Sequence, residues 1–315
     1  MRKKIIIGTR SSKLALWQAE FVKAELQKLY PVINIELNKI KTTGDKILDV
    51  PLAKVGGKGL FVKEIEEALL REEADIAVHS MKDVPTEFPD GLHLAVICKR
   101  EDPRDVLISR IQGSGFEIRN FTSIPHKAKI GTSSLRRSCQ LLNIRPDLII
   151  EQLRGNVDTR IRKLDEGRYD AIILAAAGVK RLGLSHRITE FLSFEVSLPA
   201  IGQGAIGIEC RKHDEFINKL ILPLNHAETA ICVSAERAFL KKLEGGCQVP
   251  IAAHAVFENT DSISLEGLVG SISGNRIIRG NKKGSISDSE KIGIELAEDI
   301  LQRGARAILN EVYGR

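Results

Sequence analysis

The chain has 315 residues, 43% of them hydrophobic, and a formal net charge of +6. That length can bury a substantial core and exceeds one typical domain, and no apolar run approaches the ~20 residues that a membrane-spanning helix needs. The positive charge favours an anionic partner, yet aromatic residues make up only 4% of the chain, too few for a base-stacking surface, which argues against nucleic acid. Cysteines at 98, 139, 210, 232 and 247 have no paired spacing, so neither a disulfide framework nor a metal site is expected. The start, Met1-Arg2-Lys3-Lys4-Ile5-Ile6-Ile7, reads as a first strand rather than a signal sequence, and a cytoplasmic location is expected.

Residues 4–9 read as a strand ending in Gly8-Thr9. An amphipathic helix follows over Lys13–Leu29, with Ser11 or Ser12 as its N-cap. A second strand covers Ile33–Ile40. Four glycines in the sixteen residues Gly44–Gly59 predict a mobile loop, which carries Lys54 and Lys58. A helix is expected from Leu60 to about Glu72. A short buried strand over Asp75–His79 runs into Ser80-Met81-Lys82-Asp83-Val84-Pro85, and another strand covers Leu92–Cys98. Strands and helices alternating at this spacing predict a parallel sheet.

At Lys99–Pro103 the composition turns charged, and a strand begins at Asp105. The opening is then echoed: Ile7-Gly8-Thr9-Arg10-Ser11-Ser12 returns as Ile130-Gly131-Thr132-Ser133-Ser134, and Asp75–Val78, more weakly, as Asp170–Leu174. Two α/β domains of related plan follow. In each, a helix N-terminus opens just past a strand end, which offers free N–H groups and a positive dipole to an anion. The glycine-rich run Ser197–Glu209 reads as a return crossing, and two crossings make a hinge over a cleft. A third unit holds a helix over 228–243, strands over 251–257, 262–269 and 275–280, and a helix over Asp288–Leu309. The expected fold is therefore α/β: two similar, bilobal, periplasmic-binding-protein-like domains with a hinge, plus a C-terminal α+β domain with a three-stranded sheet. The expected boundaries are 1–100 with 201–224, 101–200, and 225–315.

Three features carry chemistry. Between Gly131 and Arg181 ten Lys/Arg face six Asp/Glu, an excess of +4, and arginine's planar fork suits carboxylates. For any one arginine an ordinary ion pair is the simpler reading; a ligand role is favoured for Arg136-Arg137 and for Arg154 before Gly155-Asn156. In Ser80–Pro85 an acid and a base sit together at a strand end, where Asp83 is either a helix cap or a carboxylate that steadies a developing cation. Cys247 follows Gly245-Gly246, which can take positive φ and end a helix, and precedes Pro250. A small buried hydrophobe and an accessible thiol both remain open there.

The chain resembles the hydroxymethylbilane synthase (porphobilinogen deaminase) family. The resemblance rests on Gly8–Ala15, Gly57-Lys58-Gly59-Leu60-Phe61, His79–Pro85, Gly131–Arg137, Leu153–Arg160 and Leu243–Cys247. It implies a transferase of porphyrin and heme biosynthesis that joins four porphobilinogen molecules head to tail into the linear tetrapyrrole hydroxymethylbilane, with release of ammonia. It implies a dipyrromethane cofactor joined through a thioether to Cys247. Asp83 would be the catalytic residue, holding the positive charge of the azafulvenium left when ammonia departs. Ser80, Lys82, Asp83, Thr132, Ser134, Arg136, Arg137, Arg154 and Arg160 would hold the cofactor. Arg10, Ser12, Arg154, Arg160, Arg181 and Gln203 would hold substrate, and Lys54, Lys58 and Phe61 would belong to a lid. It further implies a monomer whose partners are porphobilinogen and the growing polypyrrole. The rivals are a non-catalytic bilobal anion binder, which needs neither Cys247 nor Asp83, and a nucleic-acid binder, which the shortage of aromatics disfavours.

Overall fold

The computed structural model describes residues 4–43, 62–110, 118–245 and 249–313. The chain divides into two compact units, 1–101 with 205–230 and 102–204 with 231–315.

In the first unit, β1 (Lys4–Arg10), β2 (Asn34–Ile40), β3 (Ile76–Ser80), β4 (Leu92–Ile97) and β10 (Ile206–Arg211) form a five-stranded sheet in the order β2-β1-β3-β10-β4. β1 is parallel to β2 and β3, whereas β10 is antiparallel to both neighbours. The wholly parallel sheet expected from sequence is therefore mixed. Both faces are covered, which is why β3 is buried over Ile76–His79. On one face Ile5, Ile7, Val78 and Ile208 meet Ala19, Val22 and Leu26 of α1 (Lys13–Leu29). On the other, Ala77 meets Ile65, Ala68 and Leu69 of α2 (Lys63–Leu70). Ser12 is the N-cap of α1, its hydroxyl accepting from Ala15 N at 3.3 Å. The short helix α6 (Glu215–Ile221) follows β10 and packs on the α1 face through Ile217, Leu220 and Ile221.

The second unit repeats the plan. β5 (Asp105–Ser109), β6 (Lys129–Gly131), β7 (Ile149–Glu151), β8 (Ala171–Ala175) and β9 (Glu190–Phe191) form a sheet in the order β7-β6-β8-β5-β9. β6 is parallel to β7 and β8, and β5 is antiparallel to β8 and β9. α3 (Leu135–Ile144), α4 (Val157–Asp165) and α5 (Ala176–Arg181) follow β6, β7 and β8 in turn.

The C-terminal part contains α7 (Ala227–Lys242), an antiparallel sheet of β11 (Ile251–Phe257), β12 (Ser262–Gly270) and β13 (Ile277–Ser285), then α8 (Ser289–Ile300) and α9 (Arg306–Tyr313). β13 runs to Ser285 rather than ending at 280, and the single last helix expected is two, separated by a wide turn over Leu301–Ala305 with Gly304 at φ +104°. This part braces α3: Asn143 Nδ2 donates to Gly274 O at 2.8 Å, and a Cβ on Gly270 would lie 2.8 Å from Cys139 Sγ. The end of α7 also departs from expectation at Gly245, while Gly246 lies outside the described residues. Glu244, not a glycine, takes the left-handed conformation at φ 53°, while Gly245 is required by space, since a Cβ there would lie 2.6 Å from both Ile251 Cδ1 and Leu240 Cδ1.

Candidate active site

In the first unit β1 ends at Arg10, and β3 ends at Ser80, after which a 3-10 turn over Met81–Asp83 carries Lys82 and Asp83 past the strand end. Ser80, Lys82 and Asp83 are half-buried. Two contacts fix the turn: Gln18 Nε2 of α1 donates to Ser80 Oγ at 2.9 Å, and Met81 N donates to Ala205 O, just before β10, at 3.0 Å. The Asp83 carboxylate makes no hydrogen bond or ion pair with any described residue. The structure thus brings Arg10, Ser12, Ser80, Lys82 and Asp83 to the carboxyl edge of one sheet, where ligands of open α/β sheets bind.

The second unit gathers its own set at the same edge. Ser134 caps α3, accepting from Arg137 N at 3.4 Å, and Thr132 Oγ1 accepts from Ser134 N at 3.2 Å. Arg154 lies between β7 and α4. Gly155 beside it sits at φ +109°, and Arg160 Nε donates back to its carbonyl at 2.7 Å. Arg181 ends α5 and donates from Nη2 to Gly204 O at 2.7 Å.

Arg136 and Arg137 are placed differently from the others. Both are buried and close on Asp105, the first residue of β5, which is itself 0% exposed. Arg136 Nη1 reaches Asp105 Oδ2 at 2.7 Å, and Arg137 Nη2 reaches Oδ1 at 2.7 Å. Ser197 Oγ donates to Oδ2 at 2.7 Å and Gln203 Nε2 to Oδ1 at 3.0 Å. Burial pushes the Asp105 carboxyl up, but the two guanidiniums outweigh it and hold the group well below the usual carboxylate range. A ligand carboxylate at Arg136 or Arg137 would share its fork with Asp105. The Oε1 atom of Gln203 is buried and finds no partner among the described residues, an acceptor open to an N–H donor.

Asp105, Ser197 and the buried Glu236 were not singled out from sequence. Glu236 of α7 accepts from Gly202 N at 2.7 Å and Ala255 N at 2.9 Å, tying the glycine-rich run to β11. The signal for Asp105 is an acid opening a strand directly before the apolar run Val106-Leu107-Ile108. Cys247, Lys54, Lys58 and Phe61 lie outside the described residues. The cysteines at 98, 139, 210 and 232 are buried free thiols, with burial pushing Cys139 and Cys210 up to about 12.

Comparison with known proteins gives the family of the chain. Residues 5–219 match the family model "Porphobilinogen deaminase, dipyromethane cofactor binding domain", and residues 230–302 match "Porphobilinogen deaminase, C-terminal domain". The chain belongs to the porphobilinogen deaminase family. It is 56% identical over 313 residues to porphobilinogen deaminase of Pelobacter propionicus, spanning 99% of this chain and 98% of that protein. It is 59% identical over 312 residues to the Geobacter sulfurreducens protein, spanning 99% and 96%. Among solved structures, the methionine binding protein MetQ superposes on 71% of this chain and 90% of its own at 13% identity and a TM-score of 0.45. The enzyme is a transferase of porphyrin biosynthesis with a dipyrromethane cofactor, and its family acts on porphobilinogen in building tetrapyrroles. The donor set fits such a group: arginines, hydroxyls and a helix N-terminus suit its carboxylates, and the orphan oxygen of Gln203 suits a pyrrole N–H. Among the described residues, no helix is long and apolar enough to cross a membrane.

Proposed function

We propose that this enzyme joins four porphobilinogen molecules head to tail into hydroxymethylbilane, releasing ammonia at each addition, on a dipyrromethane attached through a thioether to Cys247. The observation that carries the reading is the Asp83 carboxylate, held half-buried past the end of β3 by a pinned turn and committed to no other described group. Asp83 takes hydrogen bonds from the substrate's pyrrole N–H and faces the positive charge that develops as ammonia leaves. A fixed carboxylate away from bulk water steadies that charge more strongly than the same group in solution. When bound, the dipyrromethane supplies the nucleophilic pyrrole carbon to which substrate is added.

Each porphobilinogen brings an acetate and a propionate, so charge accumulates as the chain grows. Arg10 and Ser12 on the first sheet, and Arg154, Arg160 and Arg181 with Gln203 on the second, take substrate carboxylates and N–H groups. Ser80, Lys82, Thr132, Ser134, Arg136, Arg137, Arg154 and Arg160 hold the cofactor; Arg136 and Arg137 do so while also clasping Asp105. Lys54, Lys58 and Phe61 form a lid. The buried thiols elsewhere, poor nucleophiles at neutral pH, support Cys247 as the anchor. The reading includes domains at 1–100 with 201–224, 101–200 and 225–315, and a cytoplasmic monomer that binds neither nucleic acid nor membrane.

The intact mass of the denatured protein, with peptide mapping of 243–254, tests the anchor. The expected result is an adduct of two linked pyrroles on Cys247, extended ring by ring when porphobilinogen is added. A protein left unmodified even after incubation with porphobilinogen would overturn the reading. Asp83→Ala is expected to keep the fold and lose turnover by a factor of about 100 or more; a variant working at near the parent rate would remove Asp83 from the mechanism.

A further inference from the structure

The α2 face of the first sheet buries three titratable groups that the proposed reaction does not use. Side chains alternate across a strand, so Ala77 and His79 of β3 share one face, and Glu209 of β10 joins them because it pairs with Ala77. α2 packs there and contributes Glu66. Glu66 is 7% exposed, His79 5% and Glu209 1%. His79 Nε2 lies 2.9 Å from Glu209 Oε2. Glu209 Oε1 and Glu66 Oε1 are both buried and find no hydrogen-bond partner among the described residues. Two buried carboxylates beside a single histidine leave an uncompensated negative charge unless one of them keeps a proton.

We propose that Glu66, His79 and Glu209 form one proton-holding unit that positions the Ser80–Asp83 turn, with Glu66 a positioning residue that must remain neutral for Asp83 to be held in place. A proton on Glu66 lets its carboxyl donate to Glu209 Oε1, directly or through one water, so that both orphan oxygens are satisfied. Glu209 then remains free to grip His79, which immediately precedes Ser80. Ionisation of Glu66 sets a second negative charge against Glu209 and draws His79 away from it, loosening the turn at its root.

The surroundings reinforce this balance. Burial first, and then the Glu209 charge, push Glu66 up to about 7, with His79 opposing. Further along the same face Arg211 of β10 is taken up by Asp75 and Asp214, both at 3.1 Å. β1 brings Ile6 and Gly8 to this side with Arg10 next in register, β4 brings Leu92 and Leu94, and α2 itself carries Lys63, Glu64 and Glu67 around Glu66.

The inference rests on Asp83 acting in the reaction, but its test has readouts that do not. The full-length wild type, with glutamate carbons isotopically labelled, is examined by infrared spectroscopy from pH 6 to pH 8, the window around the raised Glu66 value. A protonated-carboxyl band should fade across that window and be missing from Glu66→Gln. Because the folded protein keeps a proton that the unfolded chain has lost, wild-type stability to urea should fall as pH rises through 7, and Glu66→Gln should lose that part of the slope. Wild-type kcat should decline about tenfold per unit on the alkaline side, while Glu66→Gln holds its rate to higher pH with KM unchanged. No band in the wild type, or kcat and stability profiles that run parallel in the two proteins, would overturn the proposal. A wild type that shows the band and slope but does not turn over porphobilinogen would instead refute the reaction assigned to Asp83.

Discussion

Asp105 and Glu209 both sit on the antiparallel strand of a five-stranded sheet, and both are removed from solvent. Their surroundings are opposite. Asp105 opens β5 at the carboxyl edge, beside the end of β8, and meets two arginines, a serine and a glutamine. Glu209 lies inside β10, beside Ala77, and meets a histidine and a second acid. One site is oversupplied with positive charge and keeps its carboxylate ionised. The other is undersupplied and, with burial, pushes a neighbouring carboxyl up to about 7. The same strand order therefore supports a clasp that fixes arginines at the binding edge in one unit, and a titrating group beneath the proposed catalytic turn in the other.

The largest effect should come from breaking the clasp. Asp105→Ala leaves Arg136 and Arg137 buried against each other, and removing one partner of such a group is expected to cost about 3–5 kcal/mol. Urea unfolding of the cofactor-loaded enzyme measures this, and a loss under about 1 kcal/mol would make Asp105 a bystander. The pH dependence has a definite sign. The folded-state carboxyl lies below its free value, so its stabilisation is present at neutral pH and is lost as pH falls below the unfolded value of 3.8. This is the reverse of Glu66, whose contribution falls as pH rises through 7.

A smaller effect separates the two binding edges. Gly155 holds φ +109°, and a Cβ there would lie 2.7 Å from Thr159 Cγ2. Gly155→Ala should cost about 1–3 kcal/mol through strain. It should also disturb the carbonyl that receives Arg160, so cofactor loading should fall along with stability. Loading equal to the parent at reduced stability would mean that Arg160 holds its place without that loop. Arg154→Leu, which leaves the backbone alone, should lower loading with stability changed by less than about 0.5 kcal/mol.

The sequence revealed the elements of these edges well and their partnerships poorly. The two Gly-Thr starts with their serine caps announced β1–α1 and β6–α3, because strand period, cap and helix period are local signals. Arg136-Arg137 stood out for the same reason, but the carboxylate they serve is 31 positions away from Arg136 and 32 from Arg137. His79 and Glu209 are 130 positions apart, and only the antiparallel insertion of β10 brings them together. A short strand such as Ile206–Cys210 carries no mark of its direction in a sheet. At the end of α7 the sequence suggested positive φ at Gly245, where the need is instead for space between Ile251 and Leu240.

The smallest test compares the two caps. Ser12 accepts from Ala15 N at 3.3 Å and Ser134 from Arg137 N at 3.4 Å, so each Ser→Ala change should cost about 0.5–2 kcal/mol if the caps act alone. They do not act alone. The start of α3 is also held by Thr132 Oγ1, which takes the Ser134 N–H, by Ser138 Oγ donating to Ser134 O at 3.0 Å, and by the anchored side chains of Arg136 and Arg137. The start of α1 has a hydroxyl of its own in Thr9, which donates to Ala15 O at 3.2 Å, but Lys13, the charged residue of its first turn, is exposed rather than buried as Arg136 and Arg137 are. Ser12→Ala should therefore fall toward the upper end of that range and Ser134→Ala toward the lower, as read by urea unfolding of each variant. In the double variant Ser134→Ala/Asp105→Ala the cap should regain its full value, because the clasp that masked it is gone. A Ser134 cap worth the same with and without Asp105 would show that the clasp fixes the arginine side chains alone and leaves the helix start to its own hydrogen bonds.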